Sequence, residues 1–308
     1  MPASPVFAWQ SAERRFQDAY ARFLTDEQFR QSVLGWSSGD DPIDDFSEAD
    51  IGRLRSMDQD RVELFAKCLF SNRIAAIAEA FPLSVKMMAD ALPSLVHALD
   101  AQSVAVDTRK YPEAARFADF VLNGADEGAH QLSDPVLALL QYEFAALNLR
   151  VRPRMPAWPD CAIRSVEEFS RALDDGEDVR LVLNRNHALL TVGFDVEALR
   201  ELSADVASLA QTETETVVLL HRGDNGIVQQ KGLNHASAAA ILMIDETRTF
   251  RELIASYAQW LGNDAGATLE EELKELCIGL CACGALGFET VSSGEKREAA
   301  FRIGGDAA

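Results

Sequence analysis

Residues 216 to 230 read Thr216-Val-Val-Leu-Leu-His-Arg222, Gly223-Asp-Asn-Gly226 and Ile227-Val-Gln-Gln230: a β-rich run, a turn and the start of a second run. Two such runs around a Gly- and Asn-rich turn predict a β-hairpin. Apolar residues then recur at helical spacing in three segments, Ala236 to Ile244, Thr249 to Trp260 and Thr268 to Leu286. Two strands followed by three helices predict a winged-helix-like module, a fold suited to binding rather than to catalysis.

The first half of the chain is predicted to be entirely helical. Residues 58–81 form the strongest pattern, with five residues expected to face inward: Val62, Phe65, Leu69, Ile74 and Ile77. Pro82 is expected to end this helix, because proline lacks a backbone N–H, and Thr25 is expected to cap a helix over 26–34. The acidic segment 37–50 is predicted to be a solvated loop. Further helices are predicted over 12–23, 93–99, 113–122 and 135–149.

Strand-like runs first appear after residue 150, at Val179 to Leu183 and His187 to Val192. Helices are predicted at 166–173 and 196–209, and the Pro- and Arg-rich segment 150–159 suits an extended connection. The predicted fold class is therefore α+β. Its predicted domains are an all-helical domain over 1–150, a winged-helix-like, peptide-binding α+β domain over 151–291 and a flexible tail over 292–308.

Length, composition and charge favour some classes of protein over others. The 308 residues suffice for two domains, and the 48% hydrophobic and 25% charged content is that of a globular protein. A formal charge of −20 opposes binding to nucleic acid, whose phosphates require a positive surface. The sequence shows neither a secretory signal nor a membrane-spanning run, and its five cysteines are an odd, sparse count. These features predict a cytoplasmic protein with reduced thiols that does not bind membranes.

The residues that most resemble metal or catalytic groups lack the necessary spacing. Cys277, Cys281 and Cys283 lie among apolar residues with no histidine nearby, so small core residues are a better interpretation than zinc ligands. The five histidines are scattered, and Gly223 to Gly226 matches a turn rather than a phosphate-binding loop. We therefore assign no catalytic residue, no metal ligand and no cofactor to this chain.

The hairpin is the best candidate for a binding site. An extended peptide can add to the open edge of a hairpin, where main-chain hydrogen bonds provide affinity and side-chain pockets provide specificity. The last helix is expected to form the other wall of the groove. The peptide-binding residues predicted on this basis are Val217, Leu219, Leu220, Ile227, Leu273 and Leu276. The alternative for these apolar positions is that they only close a core.

Three arginines form a basic cluster in an otherwise acidic chain: Arg150, Arg152 and Arg154. We predict that they contact a partner protein or an acidic peptide. The alternative is that they pair with neighbouring acidic residues of the connection itself.

Two stretches of the sequence resemble a known family. The first reads Phe65-Ala-Lys-Cys-Leu-Phe-Ser-Asn-Arg-Ile-Ala-Ala-Ile-Ala-Glu-Ala-Phe-Pro82, an Asn- and Arg-bearing helix that runs into Phe-Pro. The second is the hairpin with its helices, Thr216 to Leu286. Together they are similar to the HvfC-like proteins, whose relatives include MbnC and TglI.

This resemblance implies a function without catalysis. Proteins of this family partner a TIM-barrel enzyme that holds two or three iron ions and rearranges cysteine residues of a ribosomally made precursor peptide. The partner protein binds the leader of that peptide and presents it, so iron is expected on the enzyme and not on this chain. Two other functions stay open. One is a winged-helix transcriptional regulator that binds DNA, and the other is an enzyme whose site assembles from His187, His221 and Cys161.

Overall fold

The computed structural model describes residues 5–35, 46–102, 109–126, 132–153, 158, 162–163, 165–194, 215–245, 247–262 and 268–291. Helices and small antiparallel sheets make it an α+β protein, as predicted. Its contacts divide the chain into two compact units, Met1–Leu147 and Asn148–Ala308. The predicted helix over 196–209 and the predicted tail over 292–308 lie outside the described residues.

In the described part of the chain, the helices up to residue 151 are α1 (Pro5–Thr25), α2 (Glu27–Leu34), α3 (Glu48–Arg55), α4 (Gln59–Ala80), α5 (Pro82–Met87), α6 (Leu92–Gln102), α7 (Lys110–Asp126) and α8 (Asp134–Val151). Asp26, and not Thr25, caps α2, since its Oδ1 accepts a hydrogen bond from the Phe29 N–H at 3.0 Å. The short helix α3 was not predicted, because only Ile51 and Leu54 of its mostly polar sequence are buried.

Helix α4 ends before Pro82 as predicted, and Pro82 begins α5. Four of the five residues predicted to face inward from α4 are buried or pack against an apolar cluster, and Phe65 is the exception. Phe65 is 58% exposed, whereas Arg73 is buried together with Ala66 and Ala76. The prediction was wrong for Phe65 and omitted the rest of the buried face, because hydrophobic spacing does not count alanine and arginine as core residues.

The second unit contains α9 (Val166–Asp174), β1 (Val179–Leu183), β2 (His187–Val192), β3 (Thr216–Arg222), β4 (Val228–Leu233), α10 (His235–Leu242), α11 (Phe250–Leu261), α12 (Thr268–Ala282) and β5 (Leu286–Thr290). The strands predicted at 179–183 and 187–192 and the hairpin of β3 and β4 are confirmed. Strands β2, β3 and β4 form one antiparallel sheet in that order, and β1 pairs with β5 in another.

The predicted helix over 268–286 is too long at its end. Helix α12 stops at Ala282, because Gly284 adopts a left-handed conformation with φ of 75°. The Ala285 N–H donates to the Leu280 carbonyl at 2.9 Å and the Gly284 N–H to the Cys281 carbonyl at 3.0 Å. This cap turns the chain, and Leu286 begins β5, a strand that the sequence analysis missed.

The core of the second unit joins the sheets to the helices. One face of β3 packs with α10, α11 and α12, and Phe169 of α9 lies with its ring centroid 5.1 Å from that of Phe288 in β5. The other face of β3, which carries Val218 and Leu220, is buried as well. Among the described helices, none combines the length and the apolar character needed to cross a bilayer.

Candidate functional site

Strand β3 is the central strand of its sheet rather than an edge. It pairs with β2 on one side, where Leu219 faces Leu189, and with β4 on the other, where Leu219 faces Lys231. Of the two edges of the hairpin, the one on β3 is therefore occupied by β2. Val217, Leu219 and Leu220 are buried, so the structure places these three predicted peptide-binding residues in the core.

The predicted residues on α12 also belong to the core. Leu273 is buried, and Leu276 is partly buried against the same apolar cluster that includes Val217 and Leu219. They therefore lie beneath the sheet and hold α12 against it, rather than forming an open wall beside the hairpin.

Ile227 is the one predicted peptide-binding residue with a largely exposed side chain, at 61%. It follows the hairpin turn, in which Gly226 has a φ of 79°. The Asn225 Oδ1 accepts a hydrogen bond from the Ile227 N–H at 2.9 Å, and the Gly223 N–H donates to the Ile227 carbonyl at 2.9 Å. These bonds fix the turn and hold an apolar side chain in water at the tip of the hairpin.

Strand β4 lies at the edge of this sheet, and no strand in the described ranges pairs with its outer side. Backbone bonds in an antiparallel ladder alternate in direction from one residue to the next. The bond from Gly223 to Ile227 sets this alternation, so Val228 and Gly232 direct their N–H and C=O groups away from β3. Gly232 is exposed, and a Cβ added to it meets nothing within 4 Å. Within the described ranges, this edge therefore presents outward-directed backbone groups that can pair with another strand.

A polar row crosses the sheet near the hairpin turn. His187 of β2, His221 of β3 and Gln229 of β4 lie opposite one another in register, and Lys231 is the next residue of β4 on the same face. His221 is fully buried, and neither ring nitrogen has a hydrogen-bond partner within the described part of the structure. Burial lowers the pKa of His221, and the nearby His187 and Lys231 lower it further. His221 is therefore a neutral histidine inside the core.

Asn184 joins the two sheets. Its Nδ2 donates to the carbonyls of Arg222 at 3.0 Å and Gly284 at 3.2 Å, and its Oδ1 accepts from the Asn186 N–H at 2.8 Å. Its own carbonyl accepts a bond from the His187 Nδ1 at 2.6 Å. Sequence reasoning missed this residue, because an asparagine between two strand-like runs signals only a turn.

The arginine cluster is described in part. Arg150 and Arg152 are exposed, and Arg154 lies outside the described residues. The guanidinium Nη1 of Arg222 donates to the carbonyls of Leu149 at 3.2 Å and Arg152 at 3.0 Å, which attaches β3 to the end of α8. The backbone at Arg152 is thus held in place while its side chain faces water.

Cys277 and Cys281 of α12 are buried in the apolar core of the second unit. Burial raises the pKa of Cys277, and burial with the nearby Cys283 raises the pKa of Cys281 to about 12, so both remain thiols at neutral pH. The Cys283 Sγ donates to the Leu280 carbonyl at 3.3 Å. Within the described ranges, no three His, Cys, Asp or Glu side chains converge to hold a metal ion. Cys161, which one alternative needs, lies outside those ranges.

Comparison with known proteins adds no relative. The chain matches no protein-family model, and no curated protein is similar to it in sequence. The resemblance to the HvfC-like proteins therefore rests on the sequence patterns of this chain.

Proposed function

We propose that this chain is a non-catalytic partner subunit that binds the leader of a ribosomally made precursor peptide. It presents that peptide to an iron-dependent TIM-barrel oxidase, which modifies cysteine residues. The observation that carries the proposal is the outer edge of β4, where Val228 and Gly232 turn their backbone groups away from the sheet. A leader in extended conformation adds there as a fourth strand.

Two features support this mode of binding. The hairpin of β3 and β4 is followed by α10, α11 and α12, the order of elements expected of a winged-helix-like module. The core beneath the sheet includes Leu219, Leu273 and Leu276, and it makes β4 part of a packed platform. An edge strand on such a platform is ordered before the peptide arrives, so only the peptide loses conformational entropy on binding.

The partner enzyme is proposed to contact the arginine cluster. Arg150 and Arg152 project into water from the end of α8, and guanidinium groups form bidentate pairs with carboxylates. In this proposal iron resides on the barrel enzyme, and this chain supplies the peptide. Alanine at Arg150, Arg152 and Arg154 is expected to weaken the complex, and unchanged affinity for enzyme and peptide would remove the arginines from the proposal.

The experiment that tests the proposal is co-expression with the neighbouring open reading frames. This chain carries the tag, and the eluted complex is analysed for protein and metal. We expect an iron-loaded barrel protein to elute with it, and the tagged chain purified alone to carry no stoichiometric iron. If the chain elutes alone, or binds stoichiometric iron by itself, the proposed division of labour is wrong.

A further inference from the structure

A cavity of about 240 Å³ lies in the first unit, between α1, α4, α6 and α7. Its apolar wall includes Leu24 from α1 and Ala66, Leu69, Phe70 and Ala76 from α4. A cavity of roughly 150 Å³ with an apolar lining holds a benzene molecule. This one therefore has room for an organic molecule somewhat larger than benzene.

Three charged side chains also line this cavity, and each is more than nine-tenths buried: Arg73, Asp100 and Glu113 are 6%, 5% and 3% exposed. Arg73 forms ion pairs with both carboxylates. Burying a charge costs several kcal/mol, and apolar side chains in place of a buried ion pair are often no less stabilising. Charged groups that are buried beside a cavity are instead typical of a binding site.

The buried part of the cavity wall has an excess of negative charge, since two carboxylates face one guanidinium. Arg116 also approaches Glu113, with its Nη1 3.4 Å from Oε2, but it does not line the cavity and its side chain is partly in water. Near the mouth, Lys110 and Glu79 form an exposed pair at 2.6 Å. Arg109 is exposed, so water screens its charge. The lining as a whole is neutral, with three cationic and three anionic side chains. The excess negative charge belongs to its buried part, where water screens charge least, and that part favours a cation.

We propose that this cavity binds a small amphipathic amine: a protonated primary amine on a short apolar chain. The chain packs against Leu69, Phe70 and Ala76, and the ammonium group donates its three N–H groups toward Asp100 and Glu113. This site goes beyond the proposed function, because it belongs to the helical unit, whereas the peptide edge belongs to the other unit. The failure of one proposal leaves the other intact.

The test is a titration of the full chain with n-hexylamine, n-hexanol and hexanoate near pH 7, followed by amide NMR spectra. We expect saturable shifts at cavity-lining residues with hexylamine, and at least about tenfold weaker binding of the uncharged hexanol. Hexanoate is expected to bind weakest, because its carboxylate faces two others. Hexylamine that does not bind, or binds no better than hexanol, overturns the proposal.

Two variants locate the site. Glu113→Gln is expected to remove the preference for hexylamine over hexanol, whereas Glu63→Gln, which removes an exposed carboxylate of α4 outside the cavity, retains it. A buried substitution can unfold the unit, so Ala76→Leu serves as a second variant that fills the cavity and keeps its charges. Folded Ala76→Leu protein that binds hexylamine as tightly as the unsubstituted chain overturns the proposal.

Discussion

His221 makes the stability of the second unit depend on pH. Burial lowers its pKa below the ordinary value of 6.5, so the unfolded chain takes up a proton at a pH where the folded protein does not. Above about pH 6.5, His221 is neutral in both the folded and the unfolded chain, so its burial does not lower the free energy of unfolding. As the pH falls toward the folded pKa, the free energy of unfolding decreases by at most about 1.4 kcal/mol per pH unit.

We therefore expect His221→Leu to lose less stability than the unsubstituted protein between about pH 7.5 and pH 5.5. Urea unfolding at both pH values measures the difference, and the remaining titrating groups cancel in the comparison. His235→Gln is the matched control, because the side chain of His235 is mostly in water. An equal loss of stability in His221→Leu and the unsubstituted chain would contradict the lowered pKa of His221 in the folded protein.

Asn184 differs from His221 in that both polar atoms of its buried side chain have hydrogen-bond partners. Replacing it with alanine removes three side-chain hydrogen bonds and leaves the carbonyls of Arg222 and Gly284 without this donor. We expect Asn184→Ala to lower the free energy of unfolding by about 2–3 kcal/mol. Asn225→Ala removes one bond in an exposed turn, and we expect about 1 kcal/mol or less. Urea unfolding of both variants checks this order, and an equal effect would contradict the joining role of Asn184.

At the scale of elements, the sheet that carries the proposed peptide site contains two strand pairings, and the sequence predicts only one of them. The hairpin of β3 and β4 is local, and its turn residues identify it. The pairing of β2 with β3 joins segments that are far apart in the sequence, and no sequence pattern predicted that β3 would be the central strand. For that reason the predicted contacts Val217, Leu219 and Leu220 lie inside, and the available backbone groups lie one strand further out.

The edge of β4 provides a test of strand addition with a matched pair of variants. Gly232→Pro removes an N–H that points away from β3, so the sheet is expected to survive while leader binding weakens at least about tenfold. Gly232→Ala retains the N–H, and its Cβ has open space, so binding is expected to stay unchanged. Fluorescence anisotropy with a labelled leader peptide measures both. Equal affinities for the two variants would place the peptide elsewhere.

At the scale of the whole molecule, charge separates the peptide function from the DNA-binding alternative. A chain with a formal charge of −20 repels phosphates at long range. We expect no shift of duplex DNA in a mobility assay at about 50 mM salt. A shift that weakens steeply as salt rises would show phosphate neutralisation and would favour the transcriptional regulator.

The sequence by itself determined the features that depend on neighbouring residues. Alternation and turn residues located the hairpin and the strands at 179–183 and 187–192, and Pro82 marked the end of α4. Only the tertiary structure decided which strands meet, that β5 completes a sheet with β1, and that His221 and Arg73 are buried. The physical reason is range: local conformation follows from adjacent side chains, whereas pairing and burial depend on segments far apart in the chain, which only the packed core brings together.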